Sequence, residues 1–446
     1  MCVGTTRSEP EFDVLCIGAG PANIAAVAEL LESGRPLRLA LVDRGSPARK
    51  RRCAAMPARG CQSCPSCGVI EGFGGAGMYS DGKLRRTAEP NMMRAIEHLE
   101  SAGLPPFTAP AGILAVDARL RSVCGSAGLF YFGYLSQHVG TKGIVSVTRN
   151  LERRFRERGA TLYDGCDVRG VAPSGSGLLE VVGETACGAA FRLRAEKVLI
   201  GTGKGGQSTA EALLPGIRVH PNPAAIGVRL EVPRQVMFSL TGGAVLDPQI
   251  ALSIPGHGHV RTFCTCTGGS VIPYRRDSVL MLGGQANPGG ATAFSNVALL
   301  CALQGGCPFL EWKRRAHAMD PAKPVVQRLG DFMAGRAPAG RVVTSLKWSQ
   351  KGPIHEFLPP SAALLVAEMI ARLALIDPRL ADESNALSAP VFEPRTTLDL
   401  PGGAECGVHL VGDLTGRSGG IMDAAAMGVE AARRITVSGP PGRGSR

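Results

Sequence analysis

This chain of 446 residues has no long apolar run and is poor in aromatic side chains and in lysine. Aromatics make up 5% of it, tryptophans number 2, and 9 lysines stand against 40 arginines. The longest apolar stretch, Ala362 to Ile376, is broken by Glu368 and Arg372. Its apolar positions 362, 365, 366, 369, 370, 373 and 376 recur with a helical period. It therefore reads as a core-facing helix stopped by Asp377-Pro378, and not as a membrane span. Met1 to Asp13 lacks the apolar stretch of a secretory leader, and with 14 cysteines in the chain a reducing, cytoplasmic compartment is expected. There is no internal repeat and no low-complexity linker, and Ser438 to Arg446 reads as a disordered tail.

What remains is the composition of a folded enzyme: 44% hydrophobic and 19% charged residues with 59 glycines, which excludes a coiled coil or a collagen. At this length two interleaved domains of roughly 200 residues each are expected. The net charge of +12 comes from arginine. Codon usage explains that bias as well as a polyanionic partner does, so it is a weak signal for nucleic acid.

Residues 12–18 (FDVLCIG) are a strand candidate, 21–33 (PANIAAVAELLES) a helix candidate, and 37–43 (LRLALVD) a second strand candidate ending in an acid. The turn between the first two reads Gly18-Ala19-Gly20-Pro21-Ala22-Asn23, a GxGxxG pattern with Asn23 in the third place. Gly18 permits the tight turn, Gly20 lets a pyrophosphate approach the backbone, and the helix N-terminus supplies amides and a positive dipole end. Asp43, followed by Arg44, stands where an acid accepts from the adenosine ribose hydroxyls. A third glycine normally allows close packing of helix on strand, and here Ala25 and Ala26 are expected to restore that closeness.

Two further pieces pair with this one. Near the C-terminus a strand candidate, Val408 to Val411, leads to Gly412-Asp413, then to Gly416-Arg417-Ser418-Gly419-Gly420-Ile421 and a helix over 422–434. Asp413 suits a ribityl hydroxyl, and amides near Gly420 and Ile421 suit the N1 and C2 carbonyl edge of a flavin. In mid-chain, Lys197 to Gly203 (KVLIGTG) is a strand ending in Gly201-Thr202-Gly203. With Gly206 it mimics a second GxGxxG, but no second strand with a terminal acid follows at the right distance. It reads instead as the motif closing the same domain under the adenosine.

With these pieces placed, the chain resembles FAD-dependent oxidoreductases of the glutathione reductase fold class, and more narrowly a bacterial family of FAD-dependent dehydrogenases. The carrying residues are Gly72 to Gly77 with Ser80 to Leu84, Ser136 to Thr141, Ala225 to Glu231 and Thr262 to Gly269, and the resemblance runs from about 12 to 434. It implies that Gly75, Ala76, Gly77, Ser80 and Asp81 wrap the pyrophosphate and flavin edge, with Lys83 near the ring and Val168 presenting main chain to the adenine. The family pattern has a basic residue where Asn222 stands, a proline where Thr267 stands, and other residues at Leu414 to Ser418. These departures fall on the substrate side.

Cys53, Cys61, Cys64 and Cys67 form C-x7-C-x2-C-x2-C, a spacing open to zinc, to an iron-sulfur cluster, to a redox dithiol or to plain thiols. No bound metal is expected, since no second CxxC pair completes the site. Cys264 and Cys266 point to one face of a strand, where they contact substrate or fill the core. His138, in the Ser-Gln-His-Val-Gly-Thr loop, is the leading histidine for acid or base work, with Lys83, Cys264 and Arg417 as other catalytic candidates. His257 and His259 lie in a glycine-rich turn, and the run Arg49-Lys50-Arg51-Arg52 reads as a solvated face.

The fold expected is α/β: a discontinuous Rossmann-like FAD-binding domain over 10–105, 140–215 and 395–437, with an α+β substrate domain over 216–394. The function expected is hydride transfer between FAD and an organic small molecule, as a biosynthetic dehydrogenase or desaturase. A monooxygenase with NAD(P)H as transient donor and an RNA-associated flavoprotein are the alternatives.

Overall fold

The computed structural model describes residues 11–53, 60–109, 111–204, 207–214, 216–241, 246–276, 279–286, 292–306 and 322–438. Gly206, the side chain of Asn222 and the tail after Ser438 lie outside the described residues. In chain order the strands are β1 (Glu11–Ile17), β2 (Leu39–Asp43), β3 (Lys83–Arg85), β4 (Phe130–His138), β5 (Thr161–Asp164), β6 (Cys166–Pro173), β7 (Leu179–Thr185), β8 (Ala190–Ile200) and β9 (Arg218–Pro233). They continue as β10 (Leu246–Ile254), β11 (Gly258–Cys266), β12 (Ser270–Arg276), β13 (Val279–Gln285), β14 (Phe294–Leu303), β15 (Val325–Arg328), β16 (Gln350–Lys351), β17 (Ala386–Asp399) and β18 (Val408–Leu410). Five helices matter below: α1 (Pro21–Glu32), α2 (Pro90–Ser101), α3 (Gly140–Glu157), α4 (Pro360–Ala374) and α5 (Ile421–Ser438).

The first sheet is parallel in the order β5-β2-β1-β8-β18, and the antiparallel meander β6-β7 continues from the first half of β8. Both faces are covered, which is why β1 and β2 are continuous apolar runs. Val14, Cys16, Leu39 and Leu41 pack with residues of α1, α2, α3 and α5. Leu15, Ile17, Ala40 and Val42 pack on the other face with Val181 and Leu193 of the meander. This is the expected Rossmann-like unit, and it places β8 in the same sheet as β1 rather than in a second dinucleotide domain.

The second unit is a mixed sheet in the order β16-β15-β17-β9-β14-β11-β10-β4-β3, with β12-β13 as a separate hairpin. Ala362, Leu365, Val366, Met369, Ile370 and Leu373 of α4 pack into its core with Ile226, Val228, Leu230, Val297 and Leu299, following the helical period read from the sequence. No described helix is long and apolar enough to cross a membrane. Two boundaries differ from the expected ones. β3, inside the first expected segment, pairs with β4 through Lys83 and His138 and so joins the large sheet. β17 runs past residue 395, because its ladder with β9 continues from Ala386 opposite Glu231 to Asp399 opposite Arg218.

The chain's two ends are locked together by packing and charge. A Cβ at Gly428 of α5 would stand 1.9 Å from the Ala22 carbonyl oxygen, so glycine there lets α5 lie directly on α1. Glu29 of α1 accepts from Arg94 Nε at 2.7 Å and Arg433 Nε at 2.9 Å, and lies 2.8 Å from His98 Nε2. Burial by itself would raise the Glu29 pKa, but hydrogen bonds from Arg433, Arg94 and His98 outweigh it and bring it down to about 2. An acid with a depressed folded pKa contributes stability that is present above its unfolded value, 4.5, and lost as pH falls towards about 2. Glu29→Gln should therefore lower Tm near neutral pH and flatten the acid limb of a Tm-against-pH curve. An unchanged acid limb would show that this hub does not couple α1, α2 and α5.

Candidate functional site

The three glycine-bearing turns lie side by side at the C-terminal ends of β1, β8 and β18. Gly18 has φ +89°, and a Cβ there would lie 2.6 Å from the Gly201 carbonyl oxygen. Gly201 N donates to Ile17 O at 2.9 Å and Val411 N to Ile200 O at 2.9 Å, so the strand ends are stitched in order. Asn23 is fully buried, and its Nδ2 donates to Ile17 O at 2.9 Å and Gly18 O at 2.7 Å. The closeness expected from Ala25 and Ala26 is thus held by a side-chain tether. Gly201 makes room for it, since a Cβ there would meet Asn23 Nδ2 at 2.9 Å.

Other glycines here face open space. At Gly20 an added Cβ meets only the Gly201 oxygen, at 3.8 Å, and at Gly203 and Gly420 it meets nothing within 4 Å. Pro21 opens α1, suiting a first helical position that needs no N–H, and Gly20 as N-cap offers no side-chain cap. Ala22 lies buried against Gly412, whose Cβ would stand 2.9 Å from its own. Thr202 Oγ1 is buried without a partner among the described residues. The site therefore has what an extended phosphate-bearing ligand needs: an uncapped helix end, a hydroxyl lacking a partner, and, at Gly20 and Gly420, glycines that neither packing nor a left-handed backbone demands, Gly203 being held at φ +73°.

Asp43 anchors this region. Its Oδ2 accepts from Ala19 N at 2.7 Å, and its Oδ1 accepts from Gly45 N at 2.8 Å and Gly72 N at 2.9 Å. About four acceptor positions exist on a carboxylate, so one is left for a ligand hydroxyl. Arg44 is exposed and pairs with Glu71 at 2.5 Å. Val168 is buried in the core, leaving only its main chain for an adenine.

The segment 72–77 wedges between the starts of α1 and α5. Gly74 N donates to Ala19 O at 2.7 Å. A Cβ on Gly75 would be 3.0 Å from Gly20 Cα, and one on Gly77 would be 3.1 Å from Pro21 and 3.2 Å from Ile421. These two glycines serve chain packing at least as much as ligand approach, while Ala76 between them is exposed. Ser80 closes the turn by donating to Gly77 O at 2.7 Å and accepting from Gly82 N at 3.1 Å.

One residue that holds this wedge was misread from the sequence. Arg51 is 2% exposed, not part of a solvated face. Its guanidinium donates to the carbonyls of Val69 (2.8 Å), Phe73 (3.0 Å), Gly75 (2.8 Å) and Gly68 (3.2 Å) and lies 5.1 Å from the Tyr79 ring centroid. Burial lowers its pKa to about 10. Nothing marks it locally, because its partners are backbone carbonyls 17 to 24 residues away.

At the other rim, Asp413 is half-buried and accepts from the Ser418 hydroxyl, and burial raises its pKa despite that bond. Gly420 is exposed at the start of α5, while Gly419 N is taken by Asp423 Oδ2 at 3.3 Å. Arg417, one of the catalytic candidates, is exposed.

Beyond Ser80 the chain enters a buried polar cluster. Lys83 Nζ lies 3.0 Å from Asp247 Oδ1 and 3.3 Å from Asp81 Oδ2 and donates to the Thr265 carbonyl. Tyr134 donates to Asp247 Oδ2 at 3.0 Å. Burial opposes the charge on Lys83, but Asp247 and Asp81 outweigh it and hold its pKa well above the usual lysine value. Lys83 is therefore a locked cation and not a proton supplier near neutrality. His138 ends strand β4 rather than sitting in a loop, because Ser136, Gln137 and His138 pair with Arg85, Leu84 and Lys83. Both its ring nitrogens are buried without a hydrogen bond of regular geometry, and burial lowers its pKa, so the ring is neutral near pH 7. It is the group here that can take up a proton.

Cys264 and Cys266 are not on a regular strand face. The register with β14 shifts between Phe263 and Cys266, and Cys264 has φ +50°. This bulge curls the chain and leaves the two sulfurs 3.8 Å apart. Asp81, Cys264 and Cys266 form the one group of three metal-type donors lying within 4.8 Å of one another among the described residues, and the Lys83 ammonium already stands against Asp81 there. The sulfurs of Cys53, Cys61, Cys64 and Cys67 do not gather in this way. His257, in the β10-β11 turn, lies 3.1 Å from Ser361 Oγ and so ties that turn to α4.

No protein-family model matches the chain. Over 457 aligned residues it is 25% identical to an uncharacterized protein of Clostridium beijerinckii, covering 94% of this chain and 80% of that one. A flavoprotein/dehydrogenase from Cytophaga hutchinsonii aligns with 13% identity over 95% of this chain and 76% of that chain, at a TM-score of 0.42. A geranylgeranyl bacteriochlorophyll reductase-like protein from Thermoplasma acidophilum aligns with 12% identity over 97% and 79%, also at 0.42. CabE, an aromatic hydroxylase from angucycline biosynthesis, aligns with 14% identity over 97% and 64%, at 0.44.

Arg51→Met should destabilise the chain by about 3 kcal/mol or more, since it strands several buried carbonyls. Urea unfolding measures this, and a midpoint equal to that of the wild type would show that the clamp is not needed.

Proposed function

We propose that the chain is an FAD-dependent oxidoreductase that exchanges hydride with an organic small molecule, as a dehydrogenase of the reducing cytoplasm. The observation that carries the reading is the open space left by Gly20 and Gly420 beside the uncapped start of α1 and the unpartnered Thr202 hydroxyl. The residues fit the cofactor. Gly18 to Asn23 would hold its pyrophosphate, Asp43 and the main chain of Val168 its adenosine half, Asp413 its ribityl chain, and the amides of Gly420 and Ile421 the ring edge.

When bound, FAD supplies two-electron hydride chemistry. The chain's own share is to exclude water and to manage the proton. Lys83 is held as a fixed cation by Asp81 and Asp247, and His138 is kept neutral by burial and able to accept a proton at a ring nitrogen. The arginine charge speaks for a small-molecule substrate over RNA. Much of it is matched by acids on scattered elements, as in Arg94 with Glu29, Arg156 with Glu152 and Arg434 with Glu430.

The purified protein should be yellow and release about one FAD, not FMN, per chain on denaturation. Colourless protein that FAD cannot reconstitute would end the reading. Gly20→Ala should weaken FAD retention while leaving the circular dichroism and Tm close to wild type, because apart from its chain neighbours no described atom lies closer than 3.8 Å to the added Cβ. Asp413→Ala should weaken retention by about 1–3 kcal/mol. Anaerobic mixing with NADH or NADPH then separates a dehydrogenase from a monooxygenase: rapid bleaching by either would favour the monooxygenase.

A further inference from the structure

We propose that Cys264 and Cys266 are a thiol–disulfide exchange centre, a dithiol that reduces a small-molecule disulfide and closes to an intramolecular disulfide. Two residues apart on a regular strand, their Cα atoms would be about 6.6–6.8 Å apart, at the outer limit for a disulfide. The bulge removes that obstacle, with Cys264 in the left-handed region at φ +50° and the sulfurs 3.8 Å apart. A non-glycine residue held there is strained, and strain of this kind gathers at functional positions. Gly284 opposite is required by the same arrangement: a Cβ there would stand 2.4 Å from both Cys266 Sγ and Arg229 Nη2.

The two thiols are not equivalent. Cys264 is half-buried, whereas Cys266 is fully buried. A hydrogen bond from the Cys266 thiol holds Cys264 below the usual thiol range, and the same contact together with burial pushes Cys266 well above it. Arg229 Nη2 reinforces the geometry, donating to the Cys264 carbonyl at 2.8 Å and lying 3.8 Å from Cys266 Sγ. Asp81 Oδ2 stands 3.5 Å from Cys266 Sγ. The charge and hydrogen bond of Lys83 outweigh burial and hold the Asp81 carboxyl below the usual carboxylate range.

These positions assign the roles. The Cys264 thiolate attacks one sulfur of a disulfide RSSR, forming a mixed disulfide and releasing RS⁻. Cys266 then attacks Cys264 Sγ, forming the Cys264–Cys266 bond, and its proton leaves with the second thiol as RSH. The dithiol gives up two electrons and two protons, and RSSR becomes two RSH. No flavin takes part, so this inference stands apart from the proposed function and can fail separately.

The test uses the full chain, first reduced and desalted, then given excess oxidised glutathione, with digestion and mass spectrometric mapping. In the wild type, the peptide holding both cysteines should lose two hydrogens and carry no glutathione. Cys266→Ser should retain one glutathione on Cys264, and Cys264→Ser should leave Cys266 unmodified. Circular dichroism confirms that each variant is folded, and the wild-type result alone decides the matter if one is not. A wild-type peptide left unmodified, Cys266 loaded as fast as Cys264, or one metal ion per chain lost with either thiol would overturn the proposal.

Discussion

Three backbone amides from three separate segments meet on the carboxylate of Asp43, and the mouth of the first sheet depends on that meeting. Ala19 belongs to the first turn, Gly45 follows β2, and Gly72 begins the segment that wedges between α1 and α5. Each amide would otherwise be left unpaired where the chain is too tightly turned for a ladder partner. A single anion satisfies all of them, and bonds to an ionised acceptor are the stronger kind. The position of the wedge relative to Gly18 and Gly20 is thereby set before any ligand is considered.

Arg51 completes the same arrangement from the other side. Asp43 gathers donors, while Arg51 gathers the carbonyls of Gly68, Val69, Phe73 and Gly75. A loop rich in glycine loses much entropy on ordering and has few side chains with which to offset it. The half-buried Asp43 and the buried Arg51, charges of opposite sign that each serve backbone groups, offset part of that cost.

The legible part of this structure is the part in which backbone geometry dictates residue type locally. Gly18 could be assigned because a tight turn beneath the Gly201 carbonyl admits no Cβ, and β1, α1 and β2 because their burial periods are short-range. Asn23 looked like a lost glycine because its two acceptors, Ile17 O and Gly18 O, are presented to it only once the helix has folded back on the strand end. Arg51 was hidden among exposed neighbours for the same reason. His138 passed for a loop residue because its partner strand, β3, is 3 residues long and lies more than fifty positions earlier. The bulge at Cys264 was equally silent, since period-two reasoning assumes regular pairing.

The polar cluster joins the two units through charge rather than through apolar contact. Asp81 and Lys83 arrive on the segment docked against α1 and α5, whereas Asp247 and Thr265 belong to strands of the large sheet. Lys83 sets one positive charge between two carboxylates, and it outweighs burial to hold Asp81 below the usual carboxylate range. The same Asp81 Oδ2 that lies 3.3 Å from the ammonium lies 3.5 Å from Cys266 Sγ. The contact that fastens the glycine segment to the large sheet therefore also sets a carboxylate beside the dithiol. Moving Lys83 would disturb packing and chemistry together, because one cation serves both.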